Sequence, residues 1–252
     1  MSQRARVLLQ PGYVLHRRPY RDSSLLLDVF TPEFGRVGLV ARGARQVKSR
    51  SQALLQSFNP LLVSWSGSGE LANLNAVESA AAAHWLTGPA LMSGLYLNEL
   101  LARLLHRFDP HSELYASYET ALAALVRATA DSTSVALEPV LRIFEKRLMA
   151  ELGYGLVLDH EADTGLPVEA GRVYAYHLGE GPVRWPDESA APAETLLIRG
   201  ASLLDLARED LADAGSLREA KRLMRVALAA QLGNKPLASR RLFTRHVQRE
   251  PL

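Results

Sequence analysis

The chain has 252 residues, 48% of them hydrophobic, which is enough apolar material for one large domain or for two to three small ones. It contains no cysteine, which excludes disulfides, thiolate nucleophiles and cysteine-based zinc sites. It has no apolar run of about 18 residues and no signal-peptide pattern at its start, so we expect a cytoplasmic protein without a membrane segment.

The formal net charge of +2 hides an uneven distribution along the chain. Residues 1–80 carry 10 basic and 5 acidic side chains, residues 81–217 carry 10 and 20, and residues 218–252 carry 9 and 2. Two basic ends therefore flank an acidic middle. This pattern favours a polyanionic partner such as a nucleic acid, if the fold brings the two ends together. The alternative is ordinary solvated charge.

The first part of the chain, residues 1–79, predicts a small β-barrel. It contains five short runs rich in Val, Leu and aromatic residues, separated by turn-forming residues: YVLHRRPY, SLLLDVFT, RVGLVARG, FNPLLVSWSG and ELANLNAVE. The clearest hairpin is DVFTPEFGRVGLV, in which Gly35 can adopt a positive φ. Five strands in so short a segment suit an OB-fold, a barrel that commonly binds single-stranded nucleic acid or oligosaccharide.

The remainder, residues 80–252, predicts a mostly α-helical domain, so the fold class is α+β. Leucines at helical spacing predict a first helix that runs through Phe108 to a break at Asp109–Pro110, followed by two more helices. Residues 154–200 are richer in Gly, Pro and acids, and predict an irregular acidic lobe with a short strand at RVYAYHL. Residues 201–247 return to a helical pattern.

The helical segment LREAKRLMRVALAAQLG separates apolar from basic residues. One arc holds Leu217, Ala220, Leu223, Met224, Ala227 and Leu228. The opposite arc is basic and contains Arg218, Lys221, Arg222 and Arg225. Further basic candidates for DNA contact follow it, namely Lys235, Arg240 and Arg241.

The segment LVARGARQVKSRSQ, residues 39–52, leads from an apolar run into a basic loop that contains no acid. Its basic side chains are Arg42, Arg45, Lys48 and Arg50. Gly43 would let the backbone approach a phosphate, and Ser49 and Ser51 can donate hydrogen bonds to it. Other candidates in the barrel are Arg17, Arg18, Arg21 and Arg36. These residues predict sequence-independent binding of DNA or RNA; the alternative is a mobile loop that solvates one barrel rim.

Motifs for enzymatic chemistry are missing from the sequence. It has no G-x-S-x-G, no P-loop and no H-E-x-x-H. DHEADTG, at 159–165, departs from the calcium-loop pattern, because its Gly comes one place late and Ala170 stands where a bidentate Glu is needed. We therefore predict no catalytic residue, no metal and no cofactor.

Five phrases, in order along residues 13–243, jointly resemble one protein family. They are SLLLDVFTPEFGRVGLVARGAR, FNPLLVSWSGSGEL, SGLYLNELLARLL, LRIFEKRLMAELGYG and LREAKRLMRVALAAQLGNKPLASRRLF. The family is RecO, the bacterial DNA repair and recombination mediators. The resemblance implies a non-enzymatic protein, monomeric when alone, that binds single- and double-stranded DNA and anneals complementary strands. It also implies RecR and single-stranded DNA-binding protein (SSB) as partners, so that RecA is loaded onto SSB-coated DNA.

The resemblance has two further implications for particular residues. Many family members carry a cysteine-based zinc site in the region that matches Asp159 to Tyr176; this chain resembles the zinc-free branch, and its lobe is expected to be held by packing alone. The family binds the acidic C-terminal tail of SSB on its helical domain, where VLRIFEKRL nominates Arg142 and Lys146 as cations for the tail. The alternative is that both are surface charges on a core helix.

A different class of function also fits the residues. A basic OB-fold adaptor that binds RNA or a protein tail, with no part in recombination, would show the same barrel and the same basic loop.

Overall fold

The computed structural model describes residues 6–46, 49, 51–67, 69–131, 137–186, 192, 194–233 and 235–239. They form two compact units. The barrel unit consists of the described residues of 1–133 and 236–252, and the second unit consists of those of 134–235. Helices between residues 88 and 131, which the sequence analysis assigned to a second domain, belong to the barrel unit. Within the described residues, no helix is both long and apolar enough to cross a membrane.

A closed five-stranded barrel forms the start of the chain, which confirms the predicted OB-like fold. Its elements are β1 (Arg6–Tyr20), β2 (Ser24–Thr31), β3 (Gly35–Ala41), the short helix α1 (Ser51–Leu54), β4 (Leu61–Ser66) and β5 (Ala72–Ser79). The strand order is β1-β2-β3-β5-β4. The long β1 closes the barrel because its first half pairs with β4 and its second half with β2. All pairs are antiparallel except β3 and β5.

The barrel core consists of aliphatic side chains that alternate along the strands. Val29, Leu39 and Val63 are fully buried, and Trp65 closes the core against the ring of Phe34 at 5.2 Å. Each such side chain contributes about 1.5–3 kcal/mol when it leaves water. The five strands predicted from apolar runs between turn-forming residues are therefore confirmed.

Helices α2 (Gly88–Leu104) and α3 (Ser112–Asp131) complete the barrel unit. Helix α2 ends at Leu104, so the prediction that the helix runs through Phe108 is wrong. Phe108 has a φ of 60°, and its amide donates to the carbonyl of Arg36 at 3.1 Å. The chain leaves the helix early because residues 105–109 dock on the β2–β3 hairpin instead.

The second unit combines three helices with a small sheet. Its elements are α4 (Leu137–Glu151), β6 (Val173–His177), β7 (Gly181–Arg184), β8 (Leu197–Arg199), α5 (Gly200–Arg208) and α6 (Ala214–Leu232). The predicted strand is confirmed as β6, the central strand of the order β7-β6-β8. The helical pattern over 201–247 is interrupted after Arg208, where Glu209 has a φ of 62° and Asp213 caps α6 through the amide of Ser216 at 2.7 Å.

Ion pairs hold the acidic lobe of the second unit to its sheet. Glu161, only 2% exposed, accepts hydrogen bonds from Thr164 at 2.5 Å and from Arg184 at 3.0 Å. Arg184 also binds Glu169 at 2.5 Å. The hydrogen bond from Thr164, together with Arg184, lowers the pKa of Glu161 despite its burial. The expectation that packing alone holds this lobe is therefore wrong.

The turn of the β2–β3 hairpin requires glycine at position 35, and this yields the first prediction. Gly35 has a φ of +59°, and an added Cβ would lie 1.9 Å from the carbonyl oxygen of Asp109. Gly35→Ala should lower the free energy of unfolding by about 3 kcal/mol, because left-handed strain and a backbone clash act together. Denaturant unfolding measures the loss. The matched control is Gly43→Ala, where φ is +66° but the nearest atom is 3.5 Å away; it should lose about 1 kcal/mol. Equal losses would contradict the docking of Asp109.

Candidate nucleic-acid interface

One end of the barrel brings together two basic turns that are far apart in sequence. The turn between β1 and β2, residues 21–23, lies beside the turn after β3, residues 42–46. The Arg45 amide donates to the carbonyl of Ser23 at 2.8 Å, and the Arg45 guanidinium donates to the carbonyl of Arg21 at 3.2 Å. The barrel topology makes this inevitable, because β2 is antiparallel to both neighbours and Leu25 pairs with Ala41.

The side chains at this end form an exposed cationic surface, which we call the basic rim. Its members are Arg17, Arg18, Arg21, Arg42 and Arg45, all exposed to solvent. Asp22 lies in the same turn, but the five arginines leave the rim with a clear positive excess. Arg17 also donates to the carbonyl of Leu55 at 3.4 Å, which leaves the rest of its guanidinium available.

Local backbone geometry presents the second turn of the rim to solvent. Gly43 has a φ of +66°, and the Gln46 amide closes the turn on its carbonyl at 3.1 Å. Ala44 is fully buried and anchors the turn in the barrel. Ser49 and Ser51 share a hydrogen bond of 2.8 Å. Lys48 and Arg50, predicted from the same loop, lie outside the described residues.

An aromatic side chain accompanies the rim. Of the six aromatics in the barrel region, four are buried in the core, namely Tyr13, Phe30, Phe58 and Trp65. Tyr20 is half-buried at the end of β1, and the Arg21 guanidinium carbon lies 5.2 Å from the centre of its ring. The adjacent letters Tyr-Arg were the local signal for this contact, and the sequence analysis did not use them.

Arg36, predicted to bind DNA, makes internal contacts instead. It is half-buried and donates to the carbonyl of Ala102 in α2 at 2.5 Å. Burial lowers the pKa of Arg36. The negative charge of Asp28 raises this pKa, and the positive charge of Arg107 lowers it further. Arg36 thus secures the end of α2 to the barrel.

A second basic surface runs along α6 in the second unit. Arg218, Lys221, Arg222 and Arg225 are exposed, while Ala220, Leu223, Met224, Ala227 and Leu228 are buried. This confirms the predicted separation of basic and apolar arcs. Lys221 forms an ion pair with Glu138 of α4 at 2.5 Å. Lys235 follows the helix within the described residues, whereas Arg240 and Arg241 lie outside them.

Both residues nominated for the SSB tail are engaged inside the second unit. Arg142 is 8% exposed and binds Glu145 at 2.6 Å. Lys146 donates to the last carbonyls of α5, at 3.0 Å from Ala207, and forms an ion pair with Glu209 at 2.9 Å. Lys146 is therefore a cap for α5, where a cation stabilises the negative end of the helix dipole.

Zinc was one possible way of holding the lobe together. Among the described residues, no group of three or more His, Asp or Glu side chains is placed to hold a metal ion. The region 159–176 has no thiolate, His160 is bonded to Asp159 at 2.7 Å, and Glu161 is saturated by Thr164 and Arg184. These donors do not fit a cysteine-based zinc site. The ion pairs of Arg184 with Glu161 and Glu169 connect the lobe to its sheet instead.

The charge cluster at the end of α5 gives a pH-dependent prediction. Hydrogen bonding to Arg147 and to Lys146 lowers the pKa of Glu209 against the effect of burial. A depressed folded-state pKa stabilises the protein above the ordinary value of 4.5, and this stabilisation is lost as the pH falls through the lowered pKa. Glu209→Gln should therefore cost about 1 kcal/mol at neutral pH and progressively less below pH 4.5.

Urea unfolding of the two proteins across acidic and neutral pH measures this difference. Glu180→Gln is the matched control, because Glu180 is an exposed acid of the same unit. Glu180→Gln should change the free energy of unfolding very little at every pH. A Glu209 effect that does not change with pH would show that packing, and not charge, is responsible.

Comparison with known proteins gives a consistent result over both units. The family model described as "Recombination protein O N terminal" matches residues 6–83, and "Recombination protein O C terminal" matches residues 86–241. The DNA repair protein RecO of Nitrosococcus oceani is 50% identical over 238 residues, covering 94% of this chain and 93% of the relative. That of Dechloromonas aromatica is 44% identical over 243 residues, covering 96% and 98%. That of Alkalilimnicola ehrlichii is 48% identical over 246 residues, covering 98% and 94%.

Proposed function

Because the chain belongs to the RecO family of DNA repair proteins, we propose that it binds DNA strands through the basic rim, anneals them, and helps to load RecA onto SSB-coated single strands. Membership of this family makes it a DNA repair protein rather than an enzyme. The partners RecR, SSB and RecA belong to the proposal, as does binding to both single- and double-stranded DNA.

The observation that carries the proposal is the convergence of Arg21, Arg42 and Arg45 at one barrel end. Cations on two adjacent turns can contact successive phosphates. A phosphate can also come close to the partly exposed backbone at Gly43 and accept a hydrogen bond from it. Arginine side chains reach phosphate oxygens from many positions, so such a surface binds independently of base sequence. Tyr20, beside Arg21, supplies one face on which a base can stack.

Annealing follows from the same charges. Two complementary strands repel one another through their phosphates, and a cationic surface that neutralises several phosphates lowers that repulsion. Because the rim reads no base edges, the bases stay free to pair. The exposed arginines of α6 provide a second surface of the same kind.

Charge reversal at one rim residue tests DNA binding. Arg42→Glu should weaken binding of a labelled single-stranded oligonucleotide about tenfold. It should also make the slope of log affinity against log salt concentration shallower by about 0.7 for each phosphate that is no longer neutralised. Arg42 suits the test better than Arg45, whose guanidinium also supports the Arg21 turn. Fluorescence anisotropy over a range of salt concentrations measures both quantities.

The control for this test is Arg127→Glu, an identical charge change at an exposed position of α3 in the same unit. It should have a much smaller effect. Equal effects of the two reversals would mean that binding responds only to net charge, and the rim would lose its role. Strong binding of structured RNA without annealing would instead favour the general OB-fold adaptor.

The SSB tail is expected to bind Arg142 and Lys146, in competition with the acidic side chains that already bind them. A tail carboxylate would have to displace Glu145 from Arg142, and Glu209 from Lys146. Replacing Arg142 alone would take this ion pair from the buried carboxylate of Glu145, so both residues should be replaced together. The double variant Arg142→Met, Glu145→Met keeps the interior apolar and removes Arg142, one of the two cations of the proposed receptor.

Annealing of SSB-coated complementary oligonucleotides tests this step. The wild-type protein should accelerate annealing with intact SSB and much less with SSB that lacks its acidic tail. The double variant should be slow with both forms of SSB, yet normal on bare DNA. Tail-independent acceleration by the wild type would overturn the proposed tail receptor while leaving DNA binding intact.

A further inference from the structure

Trp85, in the segment between β5 and α2, is the most exposed large hydrophobic side chain of the described residues. It is 81% exposed, whereas Trp65 in the barrel core is 4% exposed. Trp185, in the second unit, is partly buried. Tryptophan is highly buried on average, because covering its indole ring removes a large apolar area from water. The exposed ring of Trp85 is therefore available to a flat apolar ligand.

The residue after Trp85 anchors it to the barrel unit. Leu86 is 7% exposed and packs on α2 at Gly94. A Cβ added at Gly94 would lie 2.7 Å from Cδ1 of Leu86 and 2.9 Å from Cε1 of Phe58. The absence of a side chain at Gly94 thus lets both residues contact the helix. Trp85 is exposed beside a buried neighbour, which fixes its place on the surface.

Helix α2 runs along the barrel from the β2–β3 hairpin towards the end that carries the basic rim. In its last turn, the carbonyl of Ala102 accepts from Arg36, which lies at the hairpin end of β3. One turn earlier, Asn98 donates to the carbonyl of Leu15, in the part of β1 that pairs with β2. The hairpin and the rim are at opposite ends of β2 and β3. The N-terminal turns of α2, with Gly94 about 6 Å beyond Asn98, therefore lie towards the rim.

One short segment of the chain contacts both the basic rim and the anchor of Trp85. The guanidinium of Arg17 donates to the carbonyl of Leu55 at 3.4 Å. Phe58 follows three residues later, at most about 10 Å away along the chain, and packs with Leu86 on α2. Trp85 therefore lies at the rim end of the barrel, on the side of Arg17.

We infer that Trp85 is a stacking site for a base of single-stranded DNA whose phosphates are bound by the basic rim. The inference rests on the proposed function and adds to it a contact to the bases. An indole ring stacks on any base, because every base has a π-face, so the site keeps the sequence independence of the rim. Bases in a duplex are already stacked and paired, so Trp85 adds affinity for single strands alone. Pairing of two strands removes this contact, which favours release of the annealed duplex.

Removal of the indole ring tests this site. Trp85→Ala should weaken binding of an oligothymidine strand about fivefold or more, because stacking on a base is lost. The slope of log affinity against log salt concentration should stay at the wild-type value, since no phosphate contact is removed. Affinity for a duplex of the same length should not change. Fluorescence anisotropy over a range of salt concentrations measures all three quantities, and Arg42→Glu provides the contrast, because it makes the slope shallower.

Two variants and one altered ligand serve as controls. Phe108→Ala removes a 49% exposed aromatic ring from the barrel unit beyond the opposite end of α2, and it should leave the affinity unchanged. Trp85→Phe keeps an aromatic face and should recover most of the affinity that Trp85→Ala loses. A strand of abasic sites keeps the phosphates and lacks the bases, so wild type and Trp85→Ala should bind it equally.

Each other result overturns the inference in a distinguishable way. If Trp85→Ala binds the duplex and the abasic strand as weakly as oligothymidine, Trp85 supports the fold and does not stack on bases. If Trp85→Ala binds DNA normally while Arg42→Glu binds it weakly, the stacking site is wrong and the rim keeps its role. Normal DNA binding with a loss confined to SSB-coated strands would make Trp85 a contact for a protein instead. If neither variant weakens binding, the proposed function of the barrel unit fails as well.

Discussion

A buried hydrogen-bond chain joins the barrel to its helices, and the placement of the basic rim depends on it. Asn98 of α2 donates to the carbonyl of Leu15 on β1 and accepts from the hydroxyl of Tyr118 on α3 at 2.5 Å. All three groups are buried, so each bond forms in a low dielectric, where leaving a partner unmatched costs about 1–3 kcal/mol. The rings of Tyr13 and Tyr118 pack edge to face at 5.3 Å around this chain. Buried polar and aromatic contacts therefore join β1, α2 and α3.

The contact between α2 and β1 determines how the basic rim is supported. Strand β1 carries Arg17 and Arg18 beyond the point where α2 holds it, so the rim extends from a fixed support and not from a free loop. Helix α2 also holds residues 238 and 239, whose amides donate to the carboxylate of Glu99 at 2.8 Å each. A surface that binds phosphates loses less conformational entropy on binding when its backbone is already fixed.

The acidic middle of the chain acts mainly as a set of internal ion-pair partners. Glu138, Glu161 and Glu209 each bind a basic side chain of the second unit. The Asp28–Arg107 pair in the barrel unit, at 2.7 Å, has the same character. Charge segregation along the sequence therefore overstates the charge segregation of the described surface. It indicated a polyanion partner for the ends, but it did not reveal that many acids of the middle are already neutralised.

Local patterns were enough to predict most of the fold. The five strands, the Gly35 turn and the amphipathic α6 were predictable because alternation, turn chemistry and helical spacing act within a few residues. The groups that each basic side chain contacts were not predictable, because these contacts join residues far apart in the sequence. Arg36 and Arg42 look alike in sequence, yet Arg36 bonds to Ala102, 66 residues away, and Arg42 is exposed. The hydrogen bond from the Ser239 amide to Glu99 spans 140 residues and left no local signal. The sequence thus identified which side chains are basic, and only tertiary structure separates those that brace the barrel from those free to meet a phosphate.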